Sequence, residues 1–302
     1  MGVTIAMNSW IRNAKRTGAG LFGGMIAGLG LFLVGMGSAF AGTGQPSPWE
    51  INLQAAATPV MESIHSFHEF LLAIIIAVVL LVLVLLIVVA LKFNEKANPV
   101  PSRTTHHTLI EVVWTVVPVL ILVAIAIPSF RLLFLQLDVP EADLTIKVTG
   151  HQWYWSYEYP DDGAFSFDSM MVPTDELKPG QPRLLAVDNE VVVPVNKIVR
   201  IQVTAADVIH SFAVPSFGVK IDAIPGRLNE SWFKSTKEGI FYGQCSELCG
   251  KDHAFMPLAI RVVTEEAYAA WLAEAKQKFA GAAAPATYAL NDMPAPEAAP
   301  AR

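Results

Sequence analysis

The chain has 302 residues but only two cysteines, Cys245 and Cys249. No multi-bridge disulfide framework can hold it, so its water-facing parts must rely on an apolar core. It is also short of charge: Asp, Glu, Lys and Arg make up 16%, and 21 basic against 27 acidic residues leave a formal charge of −6. That balance excludes a general nucleic-acid binder and suits a protein that turns an acidic face toward a basic partner. Residues 42–69 contain no Lys or Arg, although they carry Glu50, Glu62 and Glu69. No charge of either sign interrupts residues 70–91 or residues 112–130. What abounds is apolar, at 53% of the chain, a value between a soluble domain and a polytopic membrane protein.

At about 1.5 Å per helical residue, each uncharged run can cross a hydrocarbon core of about 30 Å. Transmembrane helices are therefore expected over residues 67–92 and 109–136, with Pro118 and Pro128 bending the second without breaking it. The connecting loop, residues 93–108, holds Lys96 and Arg103, with Lys92 at its edge. Basic residues stay on the cytoplasmic side, which puts residues 42–66 and everything after about residue 137 outside. Residues 1–41 read as an export signal, with Arg12, Lys15 and Arg16 ahead of an apolar run that ends in Ala39-Phe40-Ala41. The alternative is a retained helix, which the eight glycines between Gly18 and Gly37 disfavour.

From residue 144 the period shortens. Apolar stretches at 144–148, 183–187, 197–203, 239–242 and 258–263 alternate with turns such as Lys178-Pro179-Gly180 and Ile224-Pro225-Gly226. This predicts an all-β barrel or sandwich within residues 137–263. A helix over 264–280 carries Tyr268, Trp271, Leu272, Ala275 and Phe279 on one stripe, and the Ala/Pro-rich residues 281–302 read as disordered. The fold class is an α+β membrane protein, a two-helix hairpin followed by a β-domain.

The chemistry is concentrated in Cys245-Ser246-Glu247-Leu248-Cys249-Gly250-Lys251-Asp252-His253-Ala254-Phe255-Met256, with a second imidazole at His210. Thiolates and a thioether are soft donors, and a His/Cys/Met set marks electron-transfer copper sites. One thiolate would serve one copper. Two thiolates can each bridge two metals, giving every copper one terminal His, with Met256 as a weak ligand and a backbone carbonyl, such as that of Glu247, in the remaining place. Two other readings stand beside this one. A C-x-x-x-C pair in an exported domain could be a small disulfide, and a zinc site could use the thiols, but neither calls for His253 and Met256 together.

These residues resemble the subunit 2 family of cytochrome c oxidases. The likeness extends through Gly150-His151-Gln152-Trp153-Tyr154-Trp155, Glu176-Leu177-Lys178-Pro179-Gly180, Val214-Pro215-Ser216-Phe217-Gly218 and Asp222-Ala223-Ile224-Pro225-Gly226-Arg227, and covers roughly residues 55–265. It implies a cupredoxin-like Greek-key barrel over 137–263, on a hairpin in a bacterial inner membrane, with the barrel in the periplasm. It implies a dinuclear copper A centre held by His210, Cys245, Cys249, His253, Met256 and the Glu247 carbonyl, and a magnesium shared with subunit 1 through the Glu247 carboxylate. Electrons would come from cytochrome c through Trp153 and pass to a haem in subunit 1, where oxygen is reduced to water and protons are pumped; subunit 3 would complete the core. Glu158, Asp188 and Asp207 match docking positions for cytochrome c, and Asp161 and Asp162 extend that acidic surface. Simple strand alternation sets Glu158 opposite Trp153, so a twist or bulge is needed if both are to meet one partner. Glu111, at the cytoplasmic start of the second helix, matches a proton-uptake position. The chain supplies no intramembrane histidine pair for haem. Against the likeness stand a copper-free quinol oxidase relative, a tethered copper chaperone with exchangeable ligands, and a nitrous oxide reductase, which needs a large catalytic domain.

Overall fold

The computed structural model describes residues 44–279. The export-signal reading of residues 1–41 and the tail at 281–302 lie outside them. The two uncharged runs fall in long helices, α1 (Pro59–Lys92) and α2 (Thr108–Leu137), and α2 runs unbroken through Pro118 and Pro128. In the most apolar window of either helix no residue is buried. A helix that is apolar all round and left uncovered belongs in lipid or against another membrane subunit.

α1 begins at Pro59, ahead of the expected 67, because its start is anchored to the β-domain. Thr58 is fully buried, its Oγ1 accepts from Met61 N at 3.0 Å, and the same hydroxyl donates to the Phe217 carbonyl at 2.8 Å. Pro59 at the first helical position needs no hydrogen-bond partner for its nitrogen. α2 is capped by His107, whose Nδ1 accepts from Ile110 N, while Glu111 reaches back to accept from His107 N at 3.1 Å.

The β-domain contains β1 (Leu144–His151), β2 (Tyr154–Tyr159), β3 (Phe165–Ser169), β4 (Val191–Pro194), β5 (Val199–Ala205), β6 (His210–Val214), β7 (Val219–Ala223), β8 (Asn229–Phe233), β9 (Gly239–Cys245) and β10 (Pro257–Val263). They form two five-stranded sheets, ordered β3-β2-β1-β5-β8 and β4-β10-β9-β6-β7. The β1–β5 and β4–β10 pairs are parallel and the other paired strands antiparallel. β1 and β5 alternate buried and half-buried residues, so each sends one face inward. Ile146, Val148, Ile201 and Val203 from one sheet share a core with Phe212, Phe241, Leu258 and Ile260 from the other. This is the cupredoxin-like domain on an apolar two-helix hairpin that the family resemblance implies.

One expected strand is absent. Residues 183–187 form a turn in which Pro182 O accepts from both Leu185 N and Ala186 N, and Leu184 has φ +65°. The stretch has strand-like side chains, but the proline carbonyl closes a local turn, and only Val187 bridges, to Met171. A helix, α3 (Glu265–Lys278), closes the domain at the end of β2 where Asp162 lies. Trp271 packs on Tyr159 at 5.4 Å and Phe279 stacks on Phe167 at 4.8 Å between ring centres. On the membrane side, Trp232 on β8 donates its indole N–H to Leu135 O on α2.

Candidate metal centre

His210 opens β6 and Cys245 closes β9, and the two strands pair with Phe212 opposite Cys245. Gly243, two residues before Cys245, lets them approach: a Cβ there would stand 1.9 Å from Ala213 O. The loop from Ser246 to Met256 hangs between β9 and β10. It is tied down by Ser246 N to Ser211 O at 2.9 Å and by Cys245 N to Met256 O at 3.4 Å. These strand-end bonds bring residues far apart in sequence to one buried point.

There, Cys245 Sγ lies 3.8 Å from Cys249 Sγ and 3.8 Å from His210 Nδ1. Cys249 Sγ lies 3.5 Å from His253 Nδ1 and 3.5 Å from Met256 Sδ. The Glu247 carbonyl stands 3.4 Å from Cys245 Sγ. Both cysteines are free and buried, as are His210 and Met256. His210, Cys245 and Cys249 place their donor atoms within 4.8 Å of one another. A sulfur separation of 3.8 Å is less than twice a metal–thiolate bond of about 2.3 Å, so one ion can touch both sulfurs. Two thiols, two imidazoles, a thioether and a carbonyl form a donor set softer than zinc requires and suited to copper.

The residues around this cluster orient it. Asp207 Oδ1 accepts from His210 Nε2–H at 2.9 Å, which leaves Nδ1 as the nitrogen turned to the sulfurs. Its Oδ2 accepts from Gln152 N at 2.7 Å. Burial works to raise the Asp207 carboxyl, but donation from His210, Val208 N and Gln152 N holds it below its usual value. Burial likewise opposes ionisation of Cys245, yet hydrogen bonding with His210 brings that thiol down to about 6. Burial and the Cys245 charge push Cys249 up to about 12. The metal-free pair therefore gives up one proton readily and resists losing the second, which a bound cation would displace. Gly150 leaves room for His210, since a Cβ there would stand 2.8 Å from the ring. Trp155 packs edge-on to His210 at 5.9 Å and donates to Met256 O at 3.2 Å.

The comparisons with known proteins point one way. Residues 46–132 match the family model described as cytochrome c oxidase subunit II, transmembrane domain, and residues 144–263 match its periplasmic domain. The probable cytochrome c oxidase subunit 2 of Rickettsia bellii is 53% identical over 236 residues, 78% of this chain and 88% of the relative. The chain belongs to the cytochrome c oxidase subunit II family. Subunit 2 of Cereibacter sphaeroides is 50% identical over 251 residues, 77% of this chain and 82% of that protein. The crystal structure of the periplasmic domain of subunit II from Bradyrhizobium japonicum shares 70% identity, covering 47% of this chain and 99% of that one, with a TM-score of 0.45.

Within this subunit II chain the other expected residues are placed as follows. Trp153 sits in the turn between β1 and β2, so strand alternation does not govern its direction relative to Glu158. Its indole N–H donates to Cys249 O at 3.3 Å, and Gln152 donates to the same carbonyl at 2.8 Å. Lys251 Nζ stands 5.6 Å from the ring centre. Glu158 pairs with Lys147 at 3.3 Å and is 16% exposed. Asp188 accepts from Met170 N at 2.7 Å. Asp161 accepts from Thr145 N, and Asp162 from the Tyr268 hydroxyl at 2.7 Å, at the other end of β2 from Trp153. Glu247 is exposed. Glu111 lies in the first turn of α2, and Leu135, where the other end of that helix meets β8, is about 36 Å away at helical rise. The sequence reading missed the hold that Asp207, Gly150, Gln152 and Trp155 have on the cluster. The Asp207-to-His210 spacing was the one visible hint.

Proposed function

We propose that this chain takes electrons from cytochrome c and hands them to a haem in subunit 1 of an oxidase that also contains subunit 3, which reduces oxygen to water and pumps protons. Cys245 and Cys249 would hold the cofactor through their thiolates, His210 and His253 would supply nitrogen ligands, and Met256 and the Glu247 carbonyl would complete the set. Two copper ions bound there would supply a one-electron couple shared between them. The protein's own part is to fix the donors: β6 and β9 are hydrogen-bonded, Asp207 sets the His210 tautomer, and burial excludes water. The observation that carries the proposal is the buried thiol pair at 3.8 Å with two imidazole nitrogens and a thioether turned toward it.

Trp153 is the proposed point where electrons arrive, since its ring hydrogen-bonds to the carbonyl of Cys249. Glu158, Asp188 and Asp207, with Asp161 and Asp162 farther off, would draw in a basic cytochrome c by long-range attraction, which acts even where the carboxylates also bond within the chain. Two roles rest on the family resemblance alone: the Glu247 carboxylate as a magnesium ligand shared with subunit 1, and Glu111 as the start of a proton path. Its contact with His107 N also makes Glu111 a helix cap. The β-domain then lies in the periplasm of a bacterial inner membrane, with the loop at residues 93–108 in the cytoplasm.

Electron paramagnetic resonance on the copper-loaded full chain is the first test. One unpaired spin spread over two coppers is expected; a single-copper spectrum, or retention of no copper, would defeat the proposal. Stopped-flow oxidation of cytochrome c by the assembled oxidase then separates the two surface roles. Trp153→Phe should slow electron uptake and leave its salt dependence intact, whereas Glu158→Gln should flatten the salt dependence. If Trp153→Phe changed only the salt dependence, the indole would be a docking contact and not the conduit.

A further inference from the structure

Arg131 follows the uncharged run 112–130 directly, on the end of α2 that meets the β-domain. Among the described residues its guanidinium has no hydrogen-bond or ion-pair partner. It borders a groove of about 320 Å³ between the two membrane helices, with Ser63, Ser66, Phe67 and Phe70 from α1 and Pro128 from α2 among the walls. The level is that of a membrane surface: charged and hydroxyl side chains lie on one side, and the uncharged stretches begin at Phe70 and end at Phe130. An arginine at the edge of hydrocarbon needs an anion, and a phosphate oxygen pair matches its planar fork.

We propose that this groove seats one glycerophospholipid from the leaflet on the β-domain's side, with its phosphate on Arg131 and its acyl chains running down past Phe70 and Pro128. The serines refine the headgroup. Ser63 and Ser66 donate their protons to Pro59 O and Glu62 O at 3.0 and 3.1 Å, so toward the groove they offer only accepting oxygen. Glu62 and Glu69 are exposed on the same helix, and neither forms an ion pair among the described residues. Acceptor oxygens in the groove of a phosphate-seeking guanidinium, with carboxylates elsewhere on the helix that forms one wall, favour a headgroup that carries an ammonium next to its phosphate. A purely anionic headgroup would meet the glutamates unfavourably. The inference uses only the membrane hairpin and is independent of the copper reading.

The test is native mass spectrometry of the assembled oxidase from lipid nanodiscs, comparing phosphatidylethanolamine, phosphatidylglycerol and a galactosyl diacylglycerol that has no phosphate. Wild type should keep one phosphatidylethanolamine more than R131Q does, R131K should keep part of that difference, and the galactolipid should be held about tenfold less well, as expected for losing a charge-assisted contact of about 1.4 kcal/mol or more. Equal retention by wild type and R131Q would overturn the proposal. So would loss of a neighbouring subunit from R131Q with lipid unchanged, since a protein carboxylate would then be the group covering Arg131. If R131Q does not assemble, the wild-type exchange series decides alone: equal retention of the galactolipid and phosphatidylethanolamine overturns the proposal.

Discussion

The membrane hairpin leaves the side chains of its apolar windows uncovered, while the β-domain covers Trp155, Tyr157, Tyr159, Phe212 and Phe241 almost completely. Both regions are rich in large apolar residues; they differ in where the cover comes from. In the β-domain two sheets cover each other, so the core is finished within one chain and can hold the donor atoms in place. In the hairpin two helices touch along one seam and leave the remaining surface to lipid or neighbouring subunits. A rigid donor set therefore belongs in the β-domain, at the strand ends and the loop they tie down, and the surfaces that join the chain to a larger assembly belong on the helices.

The sharpest way to probe that division is to weaken a carboxylate at each end of the β-domain. Asp207 and Asp162 both accept side-chain hydrogen bonds, one from His210 and the other from Tyr268. Asp207→Asn removes the charge that holds the His210 tautomer and should lower copper affinity 10- to 100-fold, the usual cost of losing a partner behind a metal ligand, roughly 1.4–2.7 kcal/mol. Asp162→Asn keeps a bond to Tyr268 and should change copper affinity by less than about twofold, while lowering stability by about 1 kcal/mol. Competitive copper titration and denaturant unfolding of the full chain in detergent measure both. Equal effects of the two substitutions on copper would mean that the centre senses the net charge of the domain and not the hydrogen bond to His210.

The same contrast explains what could be read in the sequence. The helices were legible because absence of charge over a whole run has one meaning, and the soft donors because two thiols, an imidazole and a thioether so close together serve few purposes. The strands were legible where alternation was clean, as in β1 and β5. They were misread at residues 183–187, where composition favoured a strand and a proline carbonyl made a turn. What stayed hidden was three-dimensional proximity. Nothing in the spacing of Gly150, Gln152 and Trp155 tells that they close around a cluster built from residues 210 and 245–256, because packing of the sheet that holds β1 and β2 against the sheet that holds β6 and β9 brings them there. Asp207 illustrates the limit best. As an exposed-looking carboxylate it fits a docking surface, and only its distance to His210 reveals a second task.

The junction between the two regions offers the smallest effect and a local one. Thr58 belongs to both: its hydroxyl caps α1 through Met61 N and donates to Phe217 O in the β-domain. Thr58→Ala removes a capping oxygen and a buried donor, and loss of such a cap costs about 1 kcal/mol, equivalent to about fivefold faster opening. Hydrogen exchange on the full chain in detergent should show that acceleration at Met61 and the neighbouring amides of the first turn, with the amides of β5 and β9 unchanged. If exchange instead rose throughout the β-domain, the helix start would be part of the domain's cooperative core, and the hairpin and barrel would have to be treated as one folding unit rather than as two regions joined at a cap.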